Sequence, residues 1–128
     1  MQRYFDNIED VTVANNNFRK VLWTGKYCQL VVMTLKSGEE IGQEVHDDVD
    51  QFFRFEAGEA KIEIDGEEII AREDDAVIVP AGTEHNITNV SSSQDLKMYT
   101  IYSPPNHPAN TVHVDKAEAD AYEAEHHH

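Results

Sequence analysis

A succession of short strand-forming runs, each closed by a turn and with no helical pattern between them, is the feature that most limits what this 128-residue chain can fold into. Phe18 to Thr24 and Tyr27 to Lys36 are rich in β-formers and break at Gly25, with Ser37-Gly38 as the next turn. Gln43 to His46 and Gln51 to Glu56 flank the loop Asp47-Asp48-Val49-Asp50. From Ala60 to Asp65 the residues alternate strictly, Ile62 and Ile64 on one face and Lys61, Glu63 and Asp65 on the other, which is the period of a half-buried strand. Asp65-Gly66 predicts a tight hairpin, because such a turn needs positive φ, and Glu67 to Arg72 returns as the partner strand. Ala76 to Val79 reads as a buried run ending at Pro80, and His85 to Val90 and Leu96 to Ser103 complete the set on either side of Ser91-Ser92-Ser93. Strands this short and this regularly spaced predict an all-β fold, an antiparallel double-sheet jelly-roll barrel.

The flanks read differently. Residues 1–17 close on Asn15-Asn16-Asn17 and read as an N-terminal extension of loop composition. Residues 18–115 are the expected barrel, with Pro104, Pro105 and Pro108 in an extended crossing segment, and 116–125, rich in Ala and Glu behind the cap Asp115, predict a short C-terminal helix. His126, His127 and His128 read as the remnant of an expression tag and are set aside. No apolar run approaches the roughly 18 residues of a membrane span, and Met1 to Asp10 is polar and acidic, unlike a signal peptide. A cytoplasmic protein is the expectation.

The formal charge of -15, from 25 acids and 10 bases, excludes nucleic acid and anionic membrane surfaces as natural partners. It reads as a solvated acidic surface, with adaptation to high salt as the sharper alternative. Cys28 is the only cysteine, so no internal disulfide forms, and its apolar surroundings from Tyr27 to Leu35 predict core packing.

Two spaced motifs overlie the strands. Gly38-x5-Glu44-x-His46-x4-Gln51-x6-Gly58 is followed by Asp74-x5-Pro80-x-Gly82-x2-His85-x3-Asn89. Glu44 and His46, two residues apart, share a face if extended. Gln51 opens the next strand, and alternation groups it with Phe53 and Phe55, against Phe52, Arg54 and Glu56 on the other face. That describes a pocket with a polar entrance and an apolar floor. After Pro80 and Gly82, a sharp turn aims His85 back into the barrel. Two imidazoles and a carboxylate are the donor set of open non-heme Fe(II) sites, and Gln51 can add a neutral amide oxygen. Fe, Mn, Ni, Co or Zn fits such a set, whereas Ca and Mg suit imidazole poorly. With Glu44 as the only charged ligand, a divalent ion leaves the site about one unit positive, which favours an anionic or enolisable small molecule.

The paired motifs closely resemble the two signatures of the cupin superfamily, G-x5-H-x-H-x3,4-E-x6-G and G-x5-P-x-G-x2-H-x3-N, over residues 38 to 89. In this chain the first His column is Glu44, the Glu column is Gln51 and the opening Gly of the second motif is Asp74. The resemblance implies a single barrel domain with a divalent transition-metal site inside its mouth, held by Glu44, His46, Gln51 and His85. It also implies pairing into a homodimer through barrel strands. Phe52, on the face opposite Gln51, would be covered by such an interface.

Outside the motifs, Met98, Tyr99 and Tyr102 read as core of the last strand, with Tyr99 a candidate for the pocket wall. His107 and His113 read as surface or loop histidines, His107 also as a candidate for the pocket rim. Three functions stay open. The small stand-alone cupins that this chain is most similar to are often labelled mannose-6-phosphate isomerase-like, which implies a metal-dependent isomerase that polarises a carbonyl. Such an enzyme needs a base and a cation for a phosphate, and the sequence offers only Arg54 and Lys97, both on outward faces. The donor set equally suits a non-heme dioxygenase. A non-catalytic small-molecule-binding module is the third reading.

Overall fold

Alternation of apolar and polar residues sorts the strands into two layers. The computed structural model describes residues 2–126. The larger sheet holds β1 (Arg19–Thr24), β2 (Gln29–Leu35), β3 (Asp50–Ala57), β6 (Ala76–Val79), β8 (Leu96–Ser103) and β9 (Val112–His113), in the order β6-β3-β8-β2-β1-β9. The smaller sheet holds β4 (Ala60–Ile64), β5 (Glu67–Ala71) and β7 (His85–Asn89), in the order β5-β4-β7. All paired strands run antiparallel. The expected jelly-roll is the fold observed, with a C-terminal helix α2 at Lys116–His126. Asp115 caps it, its carboxylate accepting from the Glu118 N–H at 2.8 Å. Of the terminal histidine run, His127 and His128 lie outside the described residues.

Inward positions of the two sheets meet in one core. Val31, Met33, Phe53, Phe55, Leu96 and Met98 come from the larger sheet, and Ala60, Ile62, Ala71 and Ile87 from the smaller. The β4–β5 hairpin turns at Asp65 and Gly66, both with positive φ (53° and 83°), the geometry expected from the Asp-Gly pair. Asp74, where the resemblance expects Gly, also has positive φ, 73°. An aspartate tolerates that region better than most residues. Here its N–H donates to the Phe55 carbonyl at 2.8 Å and its carboxylate takes Arg54 at 3.1 Å.

Two expectations are corrected. Residues 1–17 are not simply loop: Ile8–Ala14 forms a helix, α1, capped by Asn7, whose side chain accepts from the Asp10 N–H at 3.0 Å. That cap, with Glu9 and Asp10 in the first turn, was the available signal. Seven residues cannot hold a helix alone. α1 exists because it packs on the outer face of β2, β3 and β8. There it buries Thr34, Glu56 and Lys97, and the Lys97 ammonium donates to the Asn15 carbonyl and, at 3.1 Å, to Asn16 Oδ1. Burial pulls the Lys97 pKa down and pushes that of Glu56 up. The second correction concerns β6. It is an edge strand rather than a buried run, and Ile78 is 64% exposed, beside Phe52 in the register. Phe52 is half-buried and leans on Tyr99, ring centroids 6.1 Å apart.

Gly58, between β3 and β4, has φ +92°, and a Cβ there would lie 2.7 Å from the Asp95 carbonyl oxygen and 3.0 Å from Leu96 Cα. Gly66 has a similar φ but open space. Gly66→Ala therefore carries only the backbone penalty, about 1 kcal/mol, whereas Gly58→Ala adds a backbone clash and loses about 2 kcal/mol more. Urea unfolding of the two variants checks this; equal losses would contradict it.

Candidate functional site

The first site segment is not a regular strand. Residues 39–44 run beside β7 through isolated bridges, Glu40 with Thr88 and Glu44 with His85. Glu44 and His85 exchange both backbone bonds, the Glu44 N–H to the His85 carbonyl at 2.9 Å and the reverse at 3.0 Å. The Gly82 N–H donates to the His46 carbonyl at 2.8 Å, with Gly82 at φ +80°. The two motifs are thus stitched together through their backbones. Asn89, the last motif position, ties down the far end: its amide donates to the carbonyls of Leu35 and Gln94, both at 2.9 Å.

This stitching gathers three of the four expected ligands. Glu44, His46 and His85 each offer a ligand atom within 4.8 Å of the others, a group that can hold one ion. His85 Nδ1 lies 3.0 Å from the Thr83 carbonyl, which can only accept. Nδ1 therefore carries the proton, and Nε2 keeps its lone pair free for a metal. His46 Nε2 sits 2.7 Å from Glu44 Oε2. A cation seated between them would be held by both atoms. Gln51 is 2% exposed and its amide nitrogen donates to Thr100 Oγ1 at 3.0 Å, while Oε1 has no partner among the described residues. An orphaned buried carbonyl oxygen is unfavourable by about 1–3 kcal/mol unless something supplies positive charge. The donor chemistry fits a divalent transition ion.

The pocket residues divide. Phe53 is fully buried and meets the His85 ring edge-on, centroids 6.3 Å apart, so it backs the site. Phe55 is core, one step deeper on β3. Tyr99 is not a pocket wall: β8 turns it outward, against Phe52. Tyr102, three residues further along β8 and so on the inward face, takes that place, 6.0 Å edge-on from the His46 ring. Tyr102 O–H and His107 Nε2 are 3.2 Å apart. His107 belongs to the rim, as expected, with its ring turned in to Tyr102, centroids 5.1 Å apart. Its segment is held by Gln29, which accepts from the Asn106 and His107 N–H groups and donates to the His107 carbonyl.

Three further residues were not legible as site residues. Thr100 orients Gln51. His113, expected at the surface, is buried at β9, where Arg19 Nη1 donates to its Nδ1 at 3.2 Å. Arg19 itself is inward on β1, so the barrel does contain a cation, while Arg54 and Lys97 stay on outer faces as expected. A single arginine in a strand carries no sequence signal of which way it faces when its neighbours, Phe18 and Lys20, do not fix the register.

Burial governs the protonation of this cluster. The Tyr102 hydroxyl is pushed well above its usual range by burial, against the pull of nearby Arg19, so it stays protonated. His107 is pushed down to about 3, first by burial and then by the charge of Arg19, so it stays neutral. His113 is lowered for the same two reasons.

Comparison with known proteins agrees with this fold. The Cupin domain model matches residues 31–102. A relative from Bacillus subtilis strain 168, the uncharacterized protein YrkC, is 46% identical over 123 residues, covering 91% of this chain and 66% of its own length. The chain thus spans about two thirds of that relative. An uncharacterized protein of Acanthamoeba polyphaga mimivirus is 38% identical over 122 residues, covering 92% of this chain and 76% of its own length. A crystal structure of a Bacillus halodurans protein superposes with a TM-score of 0.91 at 40% identity, covering 94% of this chain and 95% of that one.

The low His107 value has a consequence for stability. Between pH about 3 and 6.5 the unfolded chain holds a proton on this residue that the folded chain refuses. Stability is therefore full above the ordinary histidine value and is lost as pH falls, by up to about 1.4 kcal/mol per pH unit. Urea unfolding with chelator present, at pH about 7 and about 5, should show a shallower loss for His107→Gln than for the parent chain. Identical pH dependence would show that His107 is not held neutral.

Proposed function

The chain belongs to the cupin family, and from that premise we propose that it is a metal-dependent enzyme acting on a small anionic molecule at the inner wall of the barrel. The observation that carries the reading is the convergence of Glu44, His46 and His85 on one point, with the unpartnered Gln51 oxygen as its support. A divalent ion supplies Lewis acidity there, or redox reactivity if it is iron.

The protein's own groups do the remaining work. Thr83 fixes the His85 tautomer and Thr100 fixes the Gln51 amide. Phe53 keeps the back of the site dry. The Tyr102 hydroxyl, held protonated, is a hydrogen-bond donor for an oxyanion, and His107 orients it. Neither is suited to take a proton from carbon at neutral pH, since one is already protonated and the other holds protons weakly. That favours dioxygenase-type chemistry over an enediolate isomerase. The working setting we propose is the cytoplasm, with a small molecule and a second copy of the chain as partners. The half-buried Phe52 and exposed Ile78 on the outer sheet face suit self-association.

Elemental analysis of protein purified without a nickel column should find about one transition-metal equivalent. His46→Ala should lose it, while Gln51→Ala, which removes a neutral amide, should weaken affinity about tenfold. Affinity should also fall as pH drops from about 8 to about 5, because ligating imidazoles must be neutral. Full metal content in His46→Ala at equilibrium would show the ligand assignment to be wrong. For self-association, sedimentation at low and moderate salt should show a dimer that strengthens as the charge of -15 per chain is screened; a monomer in both would remove it.

A further inference from the structure

Arg19 is 6% exposed, and a guanidinium keeps its charge inside proteins. Among the described residues no carboxylate lies within ion-pair distance of it, unlike Arg54 and Arg72. Its Nη1 donates to the neutral His113 Nδ1, the Tyr102 hydroxyl lies beside it, and its Nε is buried with no partner among the described residues. Phe18 lies under the guanidinium, 5.2 Å from ring centroid to Cζ. A buried charge with no carboxylate in direct contact is unfavourable, which favours an anion seated against it.

The surroundings say what kind of anion. Arg19 and Glu44 both line a cavity of about 220 Å³ between the barrel and α2, with Gln43, Lys116, Asp120 and Glu123 around it. The acidic groups bar a multiply charged anion. Lys116 already pairs with Asp120 at 2.9 Å, so it leaves Arg19 as the free cation of this wall. Tyr102, beside Arg19, adds a protonated hydroxyl.

We propose that Arg19 is the specificity-determining residue of the site: its guanidinium takes the carboxylate of a small monocarboxylic acid whose other end lies toward Glu44, the ligand that borders the same cavity. The planar fork of nitrogens matches a carboxylate, and the cavity of about 220 Å³ accommodates a small organic acid. This rests on the small-molecule reading of the site but is measured separately from metal binding.

The test titrates propionate, its neutral counterpart propionamide, and inorganic phosphate into the zinc-loaded full chain, by calorimetry. The parent protein should bind propionate about tenfold or more tighter than propionamide, as expected for charge-assisted bonds to a buried guanidinium, and phosphate more weakly than propionate. Arg19→Gln should remove the preference for propionate while zinc stoichiometry stays the same, and Arg19→Lys should restore part of it. Zinc binding with no discrimination between propionate and propionamide overturns the Arg19 assignment and leaves the metal centre standing. So does a preference that survives in Arg19→Gln, which would place the carboxylate on the metal, or tighter binding of phosphate. Loss of zinc by the parent chain refutes the metal reading instead. If Arg19→Gln does not fold, the same three titrations on the zinc-free parent chain decide: a carboxylate held by Arg19 keeps its preference over propionamide without zinc, and loss of that preference overturns the assignment.

Discussion

The pair of backbone hydrogen bonds between Glu44 and His85 is the constraint on which the rest depends. It brings two segments 41 residues apart in sequence, 85 less 44, into a single hydrogen-bonded pair, and so sets two ligand side chains on the same wall. Through it, residues 39–44 lie against β7 as an irregular extra edge of the smaller sheet. His46 follows by the period of the extended chain, and its carbonyl receives the Gly82 N–H that shapes the second turn. Ligand geometry here is a product of sheet register, which a one-residue slip would destroy by sending Glu44 and His46 to the opposite face.

The interior of the barrel is polar at one end and apolar at the other. Phe53, Phe55, Met33 and Met98 fill the closed end. Toward the mouth, Gln51, Tyr102, His107, His113 and Arg19 form a chain of polar groups, with burial and the Arg19 charge setting the protonation of Tyr102, His107 and His113. That chain makes the wall a donor of hydrogen bonds and positive charge, facing a centre whose only charged ligand is Glu44.

What could be read in the sequence followed from local rules. Ile62 and Ile64 alternate with Lys61 and Glu63, and Asp65-Gly66 is a turn that few other pairs could make, so the β4–β5 hairpin was fully legible. The grouping of Glu44, His46 and His85 was legible because their spacing records a fixed register. The misreadings arose where tertiary packing decides. α1 is too short to declare itself and exists through the sheet it covers. Ala76 to Val79 is as apolar as a central strand, yet topology makes it an edge. Tyr99 and Tyr102 have the same composition signal, and only the inward phase of β8 separates the outer one from the one at the site. Arg19 and His113 meet across a β1–β9 pairing that joins residues far apart in sequence, with nothing local to announce it.

The central claim is that one ion sits among the four motif side chains. Anomalous diffraction from crystals grown with cobalt tests it most directly. The account predicts a single strong peak inside the barrel mouth, about 2.0–2.2 Å from a nitrogen of both His46 and His85 and from a Glu44 oxygen, with Gln51 Oε1 turned toward it. A barrel interior without a peak, or cobalt bound only by acidic groups on the outer surface, would contradict it.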